Sequence, residues 1–179
     1  MVFKSLETLA NNSPMGNSHD LLLKKYLQLP DRLEAAIAGL DEAGLDWKGK
    51  QGWSIRSYVH HTVEGELIWQ VNLRAAAGCD GIAFPMGWYF TQPQDKWAEQ
   101  WGYDRRPVEP ALALFKGSTR NLVDFLRCMP EVWNRSGRIT WPGDQQETLL
   151  SVRDIVLIHL RHMDQHTADI RAIRELHER

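Results

Sequence analysis

Cysteine is scarce in this chain: there are two, Cys79 and Cys128, far apart and in no C-x-x-C pair. That excludes a disulfide scaffold and a zinc ribbon, and both thiols are read as reduced. Cys79 follows Gly78 at an expected helix end, where the dipole disfavours a thiolate, and Cys128 falls on a core position, so neither is expected to act as a nucleophile. Long apolar runs are lacking too. No stretch approaches the ~20 residues of a membrane span, and MVFKSLETLANN has polar and acidic residues where a signal peptide carries an apolar run, so a cytoplasmic chain without membrane contact is expected. Charge of one sign is absent as well: 21 Lys and Arg against 23 Asp and Glu leave a formal charge of -2. The basic residues are scattered and no helix-turn-helix or zinc-finger spacing occurs, so no nucleic-acid partner is expected.

What is present is material for a core. With 43% hydrophobic and 25% charged residues over 179 positions, the chain reads as one globular domain spanning 1–179, with residues 1–16 as an irregular arm. Leu22, Tyr26, Leu29, Leu33, Ile37 and Leu40 recur at steps of three and four, which predicts a helix from about His19 to Gly39, kinked or restarted at Pro30. Ser54 can cap a second helix that begins at Ile55 and ends near AAAGCDG. Prolines 85, 93, 107 and 110 break the pattern from Asp80 to Pro110, leaving a long connection with a helical turn or two around Asp95 to Trp101. A third helix, from about Pro110 to Met129, carries Leu112, Phe115, Thr119, Leu122 and Leu126 on one side. After a loop with a possible hairpin around Gly143, SVRD opens a fourth helix to about Leu176, with Ser151 and Asp154 at capping-box spacing. Four long helices and little strand predict an all-α four-helix bundle.

The fourth helix presents Ile155, His159, His162, His166, Ile170 and Ile173 along its core stripe. Three of the chain's seven histidines thus lie in successive turns of a face that ought to be buried. A buried imidazole needs partners for its nitrogens, so such a cluster points to a metal or a catalytic site. His159 and His166 are roughly 10 Å apart along the axis, too far to share one ion with metal–nitrogen bonds of about 2 Å. The pair is therefore His162 with His166 or His159 with His162, and a third ligand must come from another helix. His60 and His61 on the second helix supply it. They point about 100° apart, and periodicity alone does not choose between them, although Gly65, one turn beyond His61, leaves room for a neighbour or ligand.

Trp53, Ser54, Arg56 and His61 form W-[ST]-x-R-x4-H, and His162, His166 and Ile170 form H-x3-H-x3-I. In these motifs, in LPDRLEAAIAGL, in WGYDRRPVEPALALF and in IRAIRE, the chain resembles the DinB-like (YfiT-like) superfamily of metal-dependent enzymes over most of residues 20 to 176. The resemblance implies an up-down-down-up bundle with a long irregular segment between helices 2 and 3. It makes His61, His162 and His166 the metal ligands, with His60 and His159 as alternatives or as neighbours of the ligands. Two residues depart from the family's usual choices, Asp169 where Gln or His is common and Glu64 where Asp is frequent.

Three imidazoles leave an ion its full positive charge and an open position, the pattern of a catalytic rather than a structural site. Zinc is the first expectation for this divalent metal and nickel the second. The resemblance implies a small-molecule substrate attacked by water, as in a hydrolase, or by a low-molecular-weight thiol, as in a transferase; a non-catalytic metal-stabilised bundle that binds a small ligand is the alternative. Glu64 is placed to serve as a proton shuttle or hydrogen-bond acceptor, and Arg56 to orient an anionic substrate or to make a packing ion pair. Trp88, Trp97 and Trp101 offer a lid over the site or ordinary core filling. The aromatic segment from Phe84 to Tyr103 is the expected contact of a homodimer.

Overall fold

The computed structural model describes residues 19–178, so the expected N-terminal arm, 1–16, lies outside the described residues. The first helical unit is two helices, α1 (His19–Leu27) and α2 (Leu29–Ile37), with Pro30 in the first turn of α2. Proline has no N–H to give a preceding carbonyl, and the first turn is where that loss costs least. A short α3 (Glu42–Leu45) follows, with Asp41 accepting from the Gly44 amide at its start. Then come α4 (Ile55–Gly78), α5 (Gln94–Gln100), α6 (Val108–Cys128) and α7 (Val152–His177).

The long elements make a bundle. Both α4 and the α1–α2 unit pack against α6 and α7, which sets α4 and the first unit at opposite corners. The predicted stripes are the buried ones: Leu22, Tyr26, Leu29 and Leu33 from the first unit, Phe115, Thr119, Leu122 and Leu126 from α6, and Ile155, Ile170 and Ile173 from α7.

The expectation of an all-α chain needs correction, because a three-stranded sheet is added to the bundle. Strands β2 (Ser136–Ile139) and β3 (Thr148–Ser151) pair antiparallel as a hairpin whose loop holds Gly143 at φ 89°, and β1 (Ile82–Ala83) pairs parallel with β2. A two-residue strand leaves no periodic signal in a sequence, and its partner lies more than fifty residues away. The sheet joins the end of α4, where Arg135 donates to the Ala77 carbonyl and the Ser136 amide to Asp80. That end is about 24 Å along the helix from His61. The Cys128 thiol also differs from expectation: both cysteines are exposed, Cys128 because it ends α6 beyond the last buried turn.

Candidate metal centre

Two caps fix where the site can form. Ser54 accepts from the Ser57 amide at 3.0 Å and starts α4, which places His61 in its second turn. Ser151 and Asp154 form the predicted capping box, with bonds of 3.1 and 3.0 Å, and start α7. The two helices run antiparallel: His61 meets His162 and His166, whereas Glu66, further along α4, meets His159, earlier on α7.

Three ring nitrogens converge in that seam. Nε2 of His162 lies 2.9 Å from Nε2 of His166 and 3.3 Å from Nε2 of His61, and ligand atoms of all three lie within 4.8 Å of one another. Two nitrogens bound tetrahedrally to one zinc are about 3.3 Å apart. The donor set therefore fits one divalent ion with small side-chain adjustments. Among the described residues no fourth His, Cys, Asp or Glu joins the group. Burial pushes the His61 imidazole down to about 3, with His166 adding to the shift, and burial likewise holds His162 well below the ordinary value, helped by His166, His61 and His159. Both rings are neutral at neutral pH, the form that offers a lone pair to a metal.

The surroundings hold the rings in place. Nδ1 of His166 donates to Asp169 at 3.1 Å, which leaves its Nε2 with the lone pair toward the other histidines. This bond is the main reason the Asp169 carboxyl titrates below its ordinary value, and Gln165 donates to the other oxygen at 3.1 Å. Trp53 stands edge-on to His61 at 5.0 Å between centroids, and Tyr58 lies 5.3 Å from His166. Burial, then the charge of Asp169, raises the Tyr58 hydroxyl and keeps it protonated. A Cβ on Gly65 would sit 3.6 Å from Cε1 of His162, an ordinary contact, so Gly65 faces that imidazole directly across the seam.

The other candidates lie elsewhere. His60 faces away from the three: its Nε2 lies 3.1 Å from the Arg106 carbonyl, its ring stacks on Tyr103 at 5.6 Å, and burial lowers its pKa. Glu64 accepts from Arg106 at 3.0 Å. Arg56, only 4% exposed, donates to Asp46 at 2.8 Å, to the Glu42 carboxylate at 2.7 Å and to the carbonyls of Glu42 and Arg106 at 3.3 Å. His159 is buried one turn before His162, with Nδ1 2.8 Å from Glu66 and 2.9 Å from the Tyr26 hydroxyl. Trp88, Trp97 and Trp101 pack on one another, and through Tyr103 their cluster reaches His60; the tryptophan ring against the three histidines is Trp53.

Three functions went unread in the sequence. Asp169 at i+3 from His166 has the spacing of a carboxylate partner, and Trp53 lies two turns before His61. Glu66 stands on the apolar stripe of Val59 and Val63, where a carboxylate signals a buried partner.

The chain is thus a helical bundle in which three histidines from facing helices converge on one point, a donor set that fits a metal ion. The sequence model of the DinB superfamily matches residues 25–170, and the chain belongs to that superfamily. It is 27% identical over 150 residues, 83% of this chain and 79% of the relative, to a protein of Geobacillus thermodenitrificans named as a candidate metal-dependent hydrolase. YfiT from Bacillus subtilis, described as a candidate metal-dependent hydrolase with an unusual four-helix-bundle topology, has the same fold: TM-score 0.78, 16% identity, and 93% of each chain covered. No helix among the described residues is long and apolar enough to cross a membrane.

Proposed function

We propose that His61, His162 and His166 hold a divalent ion, zinc in the first place and nickel in the second, and that the protein uses it to hydrolyse a small electrophilic substrate. The observation that carries the reading is the convergence of three imidazole Nε2 atoms with no carboxylate or thiolate among the described residues joining them as a ligand. An ion so held keeps its full charge and supplies Lewis acidity, polarising a carbonyl or lowering the pKa of a bound water or thiol. The protein's own groups orient and shield. Asp169 fixes the tautomer of His166, Trp53 and Tyr58 exclude water from one side, and Gly65 keeps the seam open. The names of both relatives favour water over a low-molecular-weight thiol as the attacking group. The same reading takes the up-down-down-up helix order for the bundle, of which the antiparallel α4–α7 pair is one part, and self-association through the Phe84–Tyr103 segment, where Trp88 is 48% exposed.

Elemental analysis of protein purified without a chelating affinity tag should give one zinc or nickel per chain. Ester and amide hydrolysis, assayed beside thiol consumption on electrophiles, should disappear with chelator and return with metal. Full turnover after complete demetallation would refute the hydrolase reading. A stoichiometric metal with no turnover in either assay would favour the metal-stabilised, ligand-binding bundle.

A further inference from the structure

The α4–α7 seam does not end at the three histidines. On α4, His61, Gly65 and Trp69 follow one another at single-turn spacing; on α7 the facing residues are His166, His162 and His159. The rungs match: His61 lies against His166 and His162, Gly65 against His162, and Trp69 edge-on to His159 at 6.1 Å. His159 is thus the next rung, about 4.5 Å along the axis from His162.

Its two nitrogens are treated differently. Nδ1 is turned to the bundle core, 2.8 Å from Oε2 of Glu66 and 2.9 Å from the hydroxyl of Tyr26, and Gln70 donates to the other Glu66 oxygen at 3.1 Å. A carboxylate only accepts, so Nδ1 carries the proton and Nε2 the lone pair. Glu66 and His159 are 4% and 3% exposed, and the Nε2 atom is buried without a protein partner. It lies on the ring edge away from Glu66, and the Trp69 ring stands edge-on to the same imidazole. A buried acceptor left unpaired costs free energy, whereas the other nitrogen of His159 is held by two groups from two different helices. His60 also has a buried nitrogen without a partner, but its ring faces away from the three histidines, whereas His159 lies one turn from them on α7.

We infer that the Glu66–His159 pair is a substrate-binding element of the metal centre: Nε2 of His159 accepts a hydrogen bond from an N–H or O–H group of the substrate, one helical turn from the atom that meets the ion, with Trp69 as the apolar wall beside it. The inference rests on the metal-centre reading and names the substrate class as a small molecule that joins a metal-binding oxygen to a nearby hydrogen-bond donor. His61, His162 and His166 set where such a molecule is held, and His159 selects which molecule stays.

Two probes differing by one donor test this, acetohydroxamate and N-methylacetohydroxamate, titrated calorimetrically into the zinc-loaded protein. In His159→Phe the affinity for acetohydroxamate should fall by roughly 3- to 10-fold, one hydrogen bond's worth. The N-methyl probe should bind both proteins equally, zinc stoichiometry should stay at one, and His159→Gln should recover part of the loss. An unchanged affinity for acetohydroxamate, or an equal loss for both probes, overturns the inference and leaves the metal centre standing. Should neither probe bind the wild-type zinc protein, the inference falls, while the metal-centre reading stands or falls on the zinc stoichiometry. Should His159→Phe fail to fold, the nitrogen-15 resonance of His159 Nε2 in the wild-type protein decides: it should move with acetohydroxamate and not with the N-methyl probe, and a resonance indifferent to both overturns the inference.

Discussion

His60 and His61 are neighbours in sequence, both buried on α4, and they belong to two different machines. His61 looks into the seam with α7, where the polar atoms nearest its Nε2 belong to other imidazoles. His60 looks the other way, in a row with Arg56 and Glu64 at four-residue spacing, and all three grip Arg106: Arg56 and His60 through its carbonyl, Glu64 through its guanidinium. The row on one side of α4 is held by protein groups, although Nδ1 of His60 is buried without one. The seam on the other side gathers nitrogens that satisfy each other poorly. Residue type says little about a buried histidine's role; what the facing element offers in return decides it.

The sharpest way to break this contrast is to remove one member from each side. His162→Ala or His166→Ala should weaken zinc binding by on the order of a hundredfold to a thousandfold, because two imidazoles replace three. His60→Ala should leave zinc stoichiometry at one and cost about 1–2 kcal/mol of stability through the lost bond to the Arg106 carbonyl and the lost packing on Tyr103. Elemental analysis and competition with a chromophoric chelator read the first effect, and urea unfolding the second. Full zinc occupancy in His166→Ala would end the three-ligand site.

Acid separates the two sides next. His61 and His162 have folded-state pKa values below the unfolded value of about 6.5, so between that value and about 3 the unfolded chain binds protons that the folded one does not. Stability of the demetallated protein should therefore be highest above about pH 6.5 and fall as the pH drops, by roughly 2 kcal/mol from His61 by about pH 5, with His162 adding in the same direction. His60, also lowered by burial, adds in the same direction. Zinc should raise the whole curve without flattening it, since it binds the two seam histidines in the deprotonated form that the folded apo protein already holds, and unfolding still protonates them. Urea midpoints of the apo protein that stay flat from pH 7 to 5 would contradict the burial of these rings.

How far the sequence shows this division depends on the length of the signal. The stripe on α7 spans five turns, and Ile155, His159, Ile170 and Ile173 are all buried, so the placement of its histidines on the inward face was legible from spacing alone. The choice between His60 and His61 was not, because both are buried on one helix and only the identity of the facing element separates them; the family motif supplied what periodicity lacked. Arg56 was ambiguous for the same reason. Its partners, Asp46 and Glu42, lie on a loop and a four-residue helix whose position is set by tertiary packing. The pairing of β1 with β2 and the bond between Glu66 and His159 are long-range contacts of single residues, which no local pattern encodes.

Arg56 measures the clamp side. Its replacement by Met keeps the aliphatic stem and removes four donated bonds, of which two go to exposed carboxylates and contribute little, and two to backbone carbonyls. The expected cost is about 2 kcal/mol in urea unfolding, with zinc stoichiometry unchanged. A loss of zinc in this variant without a loss of stability would make Arg56 part of the centre rather than of its support.

Gly65 carries the smallest effect and the most informative sign. Glycine in the interior of a helix costs about 0.5–1 kcal/mol relative to alanine, because it orders more backbone freedom on folding. An added Cβ would meet Cε1 of His162 at 3.6 Å, ordinary van der Waals contact, so nothing in the protein opposes the change. Gly65→Ala should therefore raise stability by that amount and leave zinc binding intact. Gly65→Val, whose branches extend beyond that contact distance, should displace the His162 ring and weaken zinc. If alanine instead weakens zinc as much as valine does, His162 has no slack in the seam. If alanine stabilises the fold, keeps zinc and yet lowers the affinity for acetohydroxamate, the space beside Gly65 belongs to the molecule that the centre binds.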